Sequence, residues 1–218
     1  MKDKISPLQK ALNFWAIILI IWSLYRANLR MPEWFDEFIA KPLVFVLPVF
    51  FYIQKIENKK IMEGLWLNPK KIFSDLIIAL GIALIFFTTA IFANFIKSHQ
   101  ITFLSQSTSL NGLFIIIITA LATGFSEEVL SRGFVLKRLY EESKNFLTAS
   151  FFASILFFFL HVPILFTNIK ITGNLLLFFM LSDLILSLFC SFVFLIRKSL
   201  FLPIFIHALY NITLLLFI

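Results

Sequence analysis

Apolar residues in this chain fall into blocks much longer than a soluble core requires. The blocks lie at about 11–25, 38–53, 73–96, one starting near 111, then 147–166, 174–196 and 200–218. Most approach the roughly 20 residues that a helix needs to cross a bilayer's hydrocarbon core. The polar breaks between them are short, and no block shows the apolar/polar alternation of about 10 residues that marks a membrane β-strand. The pattern predicts an all-α polytopic membrane protein, a bundle of about seven transmembrane helices forming a single domain over 1–218. No internal repeat or flexible linker divides it.

Composition strengthens this reading: 60% of residues are apolar, 14% are charged, and 30 phenylalanines stand against 6 glycines. A soluble domain carries about a quarter charged residues. The net charge of +7 would raise the question of nucleic acid in a soluble protein. Here its distribution gives topology instead, and no nucleic-acid partner is expected. The amino terminus (Lys2, Lys4, Lys10), the 54–72 loop (Lys55, Lys59, Lys60, Lys70, Lys71), the 127–147 region (Arg132, Lys137, Arg138, Lys144) and the turn at Arg197-Lys198 hold fourteen basic residues. The alternate segments hold five: Arg26, Arg30, Lys41, Lys97 and Lys170. Cytoplasmic loops carry the Lys/Arg excess, so the amino terminus is expected in the cytoplasm and the carboxyl terminus outside.

The first block ends in Trp22-Ser23-Leu24-Tyr25-Arg26, with no small-residue pair for cleavage, and reads as an uncleaved anchor. The stretch Glu33-Trp34-Phe35-Asp36-Glu37-Phe38-Ile39 reads as an interfacial turn, and Trp15, Trp22, Tyr25, Trp34, Tyr52 and Trp66 as interfacial anchors. The single cysteine, Cys190, is expected to pack.

Ionisable residues inside the blocks carry the functional information, because each costs at least a few kcal/mol near the bilayer centre unless it meets a partner or a wet cavity. They are Glu127, Glu128, Arg132, His161, Asp183 and His207, with Asn211 as a neutral polar companion. Depth relates them. If the fourth helix continues through Glu127 to about Tyr140, the 1.5 Å rise puts Glu127 roughly 20 Å from its cytoplasmic end, with Lys137 and Arg138 snorkelling to the headgroups. On the same arithmetic His161 lies roughly 22 Å, His207 roughly 14 Å and Asn211 roughly 20 Å from their cytoplasmic ends. Glu128 and Arg132 are four residues apart and can pair, while Glu127 is rotated about 100° away and faces elsewhere. His207 and Asn211 share one face of the last helix. A carboxylate and a histidine at one depth suit activation of a water, and a second histidine with an asparagine can donate to a developing oxyanion. The chemistry suggested is hydrolysis of an acyl bond, most naturally a peptide. Asp183 stays outside this set, as a structural partner or cavity-lining acid.

Three short motifs then appear in order. Glu127-Glu128-Val129-Leu130-Ser131-Arg132 followed by Gly133, Phe157-Phe158-Phe159-Leu160-His161, and His207-Ala208-Leu209-Tyr210-Asn211 resemble the Glu-Glu-x-x-x-Arg, Phe-x-x-x-His and His-x-x-x-Asn motifs of the CPBP group. These are intramembrane proteases named for CAAX-protein and bacteriocin processing, also called the Abi family. The resemblance covers roughly 110–218, so the catalytic helices are expected there. It departs at Ser131, where an aromatic residue is common, and at Ser187, Cys190 and Ser191, where glycines are frequent.

The resemblance implies a CPBP-type intramembrane endopeptidase acting on a membrane-delivered peptide or protein, within a lipid bilayer expected to be a bacterial cell membrane. It implies that Glu127 and His161 activate water, that His207 and Asn211 stabilise the oxyanion, and that Glu128 and Arg132 hold the first motif. The family has also been described as metalloproteases. Glu127, His161 and His207 could supply a two-histidine, one-carboxylate set for a divalent metal such as zinc, while Asn211 favours the metal-free glutamate mechanism. Two non-protease readings stand beside it: a non-catalytic protein of the same fold, giving bacteriocin immunity or serving as a scaffold, and a proton-path transporter. The sequence leaves the oligomeric state open.

Overall fold

The computed structural model describes residues 5–29, 31–99, 109–167 and 173–217. Lys2, Lys4, Arg30 and Lys170, which entered the charge count above, lie outside the described residues. The described residues are mostly helical, and six of the helices are long and apolar enough to cross a membrane, with a seventh, shorter apolar helix at the end. The protein is an integral, multi-pass, all-α membrane protein.

Helix α1, Pro7–Asn28, starts with proline at its first position, and the Ser6 hydroxyl accepts the Gln9 N–H at 3.1 Å. Helix α2, Glu33–Ile56, begins five residues before the predicted block. Its hydrogen bonding widens to the i→i+5 pattern over Asp36–Ala40, Pro42–Val46 and Tyr52–Ile56. Pro42 and Pro48 lack the N–H that an unbroken α-ladder would need. A short helix α3, Ile61–Leu65, is stopped by Trp66 in the left-handed conformation (φ 56°). Helix α4, Ile72–Ser98, follows, then α5, Leu110–Ser143, whose 34 residues span about 50 Å. The fourth block does run on through Glu127 and past Tyr140. Helices α6, Phe146–Thr167, α7, Gly173–Arg197, and α8, Phe201–Phe217, complete the bundle.

Helix α8 lies between α4 and α5, α6 packs on α7 and α1, and α2 lies against α1 and α5. The approach of α5 to α8 is set by Gly124, where an added Cβ would stand 3.0 Å from the Ile204 carbonyl oxygen and 3.3 Å from the Ala208 nitrogen. That closeness brings the acidic pair of α5 against His207 of α8. A second small cluster, Ala79, Leu186, Cys190, Leu202 and Ile206, joins α4, α7 and α8, and Cys190 packs there as expected.

Two sequence expectations change. Trp15, Trp22 and Tyr52 are not interfacial anchors: they are buried in the main core with Phe45 and Phe134, and Trp22 is 1% exposed. The faces of α1 and α2 that carry these rings meet each other and α5, so the aromatic residues fill a protein interior rather than a headgroup layer. Lys137 and Arg138 do not snorkel either. Both are buried: Lys137 donates to the Glu63 and Gly64 carbonyls at 2.6 and 3.1 Å, while Arg138 forks onto Glu57 at 2.7 and 2.8 Å. These contacts satisfy the open end of α3 and tie the 57–66 connection to α5.

Candidate active site

The acidic pair sits where α5 changes its hydrogen bonding. Over Val129–Leu136 the ladder widens to i→i+5, with the Lys137 N–H reaching the Arg132 carbonyl. Such wide turns recur at functional sites because they rotate side chains out of the ordinary α-register. Here all of Ser126 to Leu136 is buried, so every polar group in it requires a partner.

Glu128 finds two. Its Oε1 accepts from the Arg132 guanidinium at 2.8 Å and lies 2.8 Å from Nδ1 of His207. A carboxylate oxygen accepts, so His207 donates from Nδ1 and its Nε2 faces the other way. Arg132 also donates to the Ser187 carbonyl at 3.0 Å and lies over the Phe157 ring at 4.3 Å. The predicted Glu128–Arg132 pair is therefore present. It also joins α5 to α6, α7 and α8.

Glu127 faces a different set. Its Oε2 lies 3.3 Å from Nε2 of His161 and 3.7 Å from Nε2 of His207, and makes no hydrogen bond of its own. His161 is fixed from behind, with Nδ1 at 3.2 Å from the Phe157 carbonyl. A carbonyl only accepts, so Nδ1 carries a proton, and Nε2 faces the Glu127 carboxylate. One carboxylate oxygen and two imidazole nitrogens thus converge on one point.

The other oxygen of Glu127 is held by a residue that the sequence reading placed elsewhere. The sequence pattern predicts Lys41 in an outer loop and Glu37 in an interfacial turn. Both are instead buried on α2, Lys41 at 3% exposure, because the helix continues through Pro42. The Lys41 ammonium donates to Glu127 Oε1 at 2.8 Å and to the two Glu37 oxygens at 2.6 and 2.7 Å. Glu37 Oε2 also accepts from the Thr123 hydroxyl at 2.7 Å, one turn ahead of Glu127 on α5. Glu127 is therefore not a carboxylate left free by the Glu128–Arg132 pair but one that is paired on one side and open on the other. The signal that could have found this is the Glu37/Lys41 spacing of four, the same as that of Glu128 and Arg132.

Asn211 stands one turn beyond His207, half-buried. It lines a cavity of about 340 Å³ with Glu33, Glu37, Thr119, Thr123 and Phe179. Asp183, on α7, acts electrostatically on His161 without entering the contacts above.

A divalent metal would need Glu127, His161 and His207 as ligands. The Lys41 ammonium on Glu127 sets a full positive charge beside the point where a dication would sit, and among the described residues no three His, Cys, Asp or Glu side chains are disposed to hold a metal ion.

No curated protein matches the chain. Residues 109–213, which carry the acidic pair and both histidines, match the family described as type II CAAX prenyl endopeptidase, Rce1-like. Through this segment the chain is similar to the Rce1-like CAAX protease family.

Proposed function

We propose that the protein is a glutamate-dependent intramembrane endopeptidase that hydrolyses a peptide bond near the end of a membrane-delivered substrate. The observation that carries this reading is the convergence of His161 Nε2 and His207 Nε2 on the one unpaired oxygen of Glu127. A water at this point can donate to Glu127 Oε2 while the two imidazoles hold it in place. Glu127 takes a proton as the water oxygen adds to the scissile carbonyl. Charge then builds on the carbonyl oxygen. His207, held at Nδ1 by Glu128, turns Nε2 toward it as one donor, and Asn211 supplies a second from the adjacent turn. As the C–N bond breaks, the proton taken by Glu127 passes to the leaving amine, and the site returns to its starting charge.

Burial makes each of these interactions stronger than it would be in water, because the fixed charges are already oriented and little solvent competes. The family's name points to prenylated CAAX termini as the substrate class. The test uses the full chain in lipid nanodiscs with a farnesylated CAAX peptide in H₂¹⁸O. The expected result is a new carboxyl terminus carrying one ¹⁸O, a rate unchanged by EDTA, and no product from Glu127→Gln. Equal product from Glu127→Gln and the wild type would contradict it.

A further inference from the structure

The geometry points to Lys41 as the positioning residue of the reaction, contributed by an amino-terminal helix outside the segment that matches the family. This inference rests on the endopeptidase reading and adds a component to it. Three observations carry it. Lys41 is buried, and its ammonium meets three carboxylate oxygens at 2.6, 2.7 and 2.8 Å. An ammonium has three N–H donors and no acceptor, so all three protons are committed and none is left for a substrate. That excludes a general-acid role and leaves orientation. The second observation is asymmetry: Lys41 takes Oε1 of Glu127, and Oε2 is the oxygen that faces both imidazoles. Without Lys41, the carboxylate could turn about its last bond or be drawn toward a doubly protonated histidine. With it, one lone-pair face is pinned at the water position. The third is the anchor. Glu37 holds Lys41 through both oxygens and is itself held by Thr123. Thr123 and Glu127 share one face of α5, so the Glu37–Lys41 clamp grips the helix one turn above the acid and at the acid itself.

Removing Lys41 alone would strand Glu37 and Glu127 as buried charges and endanger folding. The informative variant is therefore the double substitution Glu37→Leu with Lys41→Met, which removes one carboxylate together with the ammonium and leaves Glu127 as the single buried acid without its cation, facing His161 and His207. Membranes from cells expressing the wild type, Glu127→Gln, the double variant and Lys41→Arg at matched levels are followed in time by mass spectrometry of peptide termini, with thermal melting of each purified chain alongside. The termini abolished by Glu127→Gln define the activity. The expected result is that the double variant still melts in one cooperative transition, below that of the wild type, cuts at the same positions, and forms those termini at least tenfold more slowly per folded chain, while Lys41→Arg retains at least a third of the wild-type rate. Termini formed at the wild-type rate by the double variant would make Lys41 a folding residue only, overturning the inference and leaving the endopeptidase reading in place. If no termini depend on Glu127, the endopeptidase reading falls, and the role of Lys41 falls with it.

Discussion

The two halves of the site carry different kinds of information. The carboxyl-terminal helices α5, α6 and α8 hold the acidic pair and the two histidines in short motifs with fixed spacings, and the family match covers this segment. The amino-terminal helix α2 lies outside that match, yet it supplies the ammonium that holds the proposed base. Reactive groups need particular residue types at set positions, so they leave a pattern. A positioning charge needs only to reach the right oxygen, and any helix that passes close enough can carry it. A motif therefore identifies the reacting groups before it identifies what aims them.

The comparison can be sharpened by substitutions that separate pairing, helix approach and lipid-facing surface. The largest effect on stability is expected from Arg132→Met. It strands Glu128 in a fully buried position, and breaking one partner out of a buried pair costs about 3–5 kcal/mol. Chemical denaturation in mixed micelles would measure it, and a loss below about 1 kcal/mol would show that His207 alone suffices as partner. Next comes Gly124→Ala. Its Cβ would press on the backbone of α8 at Ile204 and Ala208, and overpacking of this kind costs about 1–3 kcal/mol. Because Ala208 adjoins His207, activity should fall further than stability alone explains. Activity that simply tracks the folded fraction would argue against a tight geometric requirement between Glu127 and His207. The smallest effect is expected from Phe73→Ala on α4, where the ring is 72% exposed on the bundle surface. Stability should change by less than about 0.5 kcal/mol, with no loss of rate. A larger change would mean that this face of α4 has a protein partner.

Much of the fold was legible because bilayer crossing leaves a coarse signal. Seven apolar blocks became six long helices and one shorter one, and the depth of Glu127 required α5 to run on, as it does. What was not legible has a common physical cause. The sequence reading treated the charge cluster at 33–41 as the end of a span, whereas α2 opens at Glu33 and keeps Glu37 and Lys41 inside. Charge density signals water only when the charges lack partners, and here one helix carries both members of a pair while a third partner comes from sequence 86 positions away. The aromatic residues misled for a related reason. Trp15 and Trp22 near the ends of an apolar block look like headgroup anchors, but the pattern does not say whether a helix face meets lipid or another helix. The roles of Lys137 and Arg138 depended on the short helix α3 folding back beneath them, which no periodicity announces.

The central claim is that Glu127 is the base of a peptide-bond hydrolysis. The most direct measurement compares, by mass spectrometry, the membrane-bound and released peptide termini of cells carrying the wild-type chain with those of cells carrying Glu127→Gln at matched protein level. The account predicts a specific set of termini that the variant abolishes, at least a hundredfold down, as expected for loss of a general base, while protein level and helical content stay the same. The same termini at the same abundance in both would contradict it.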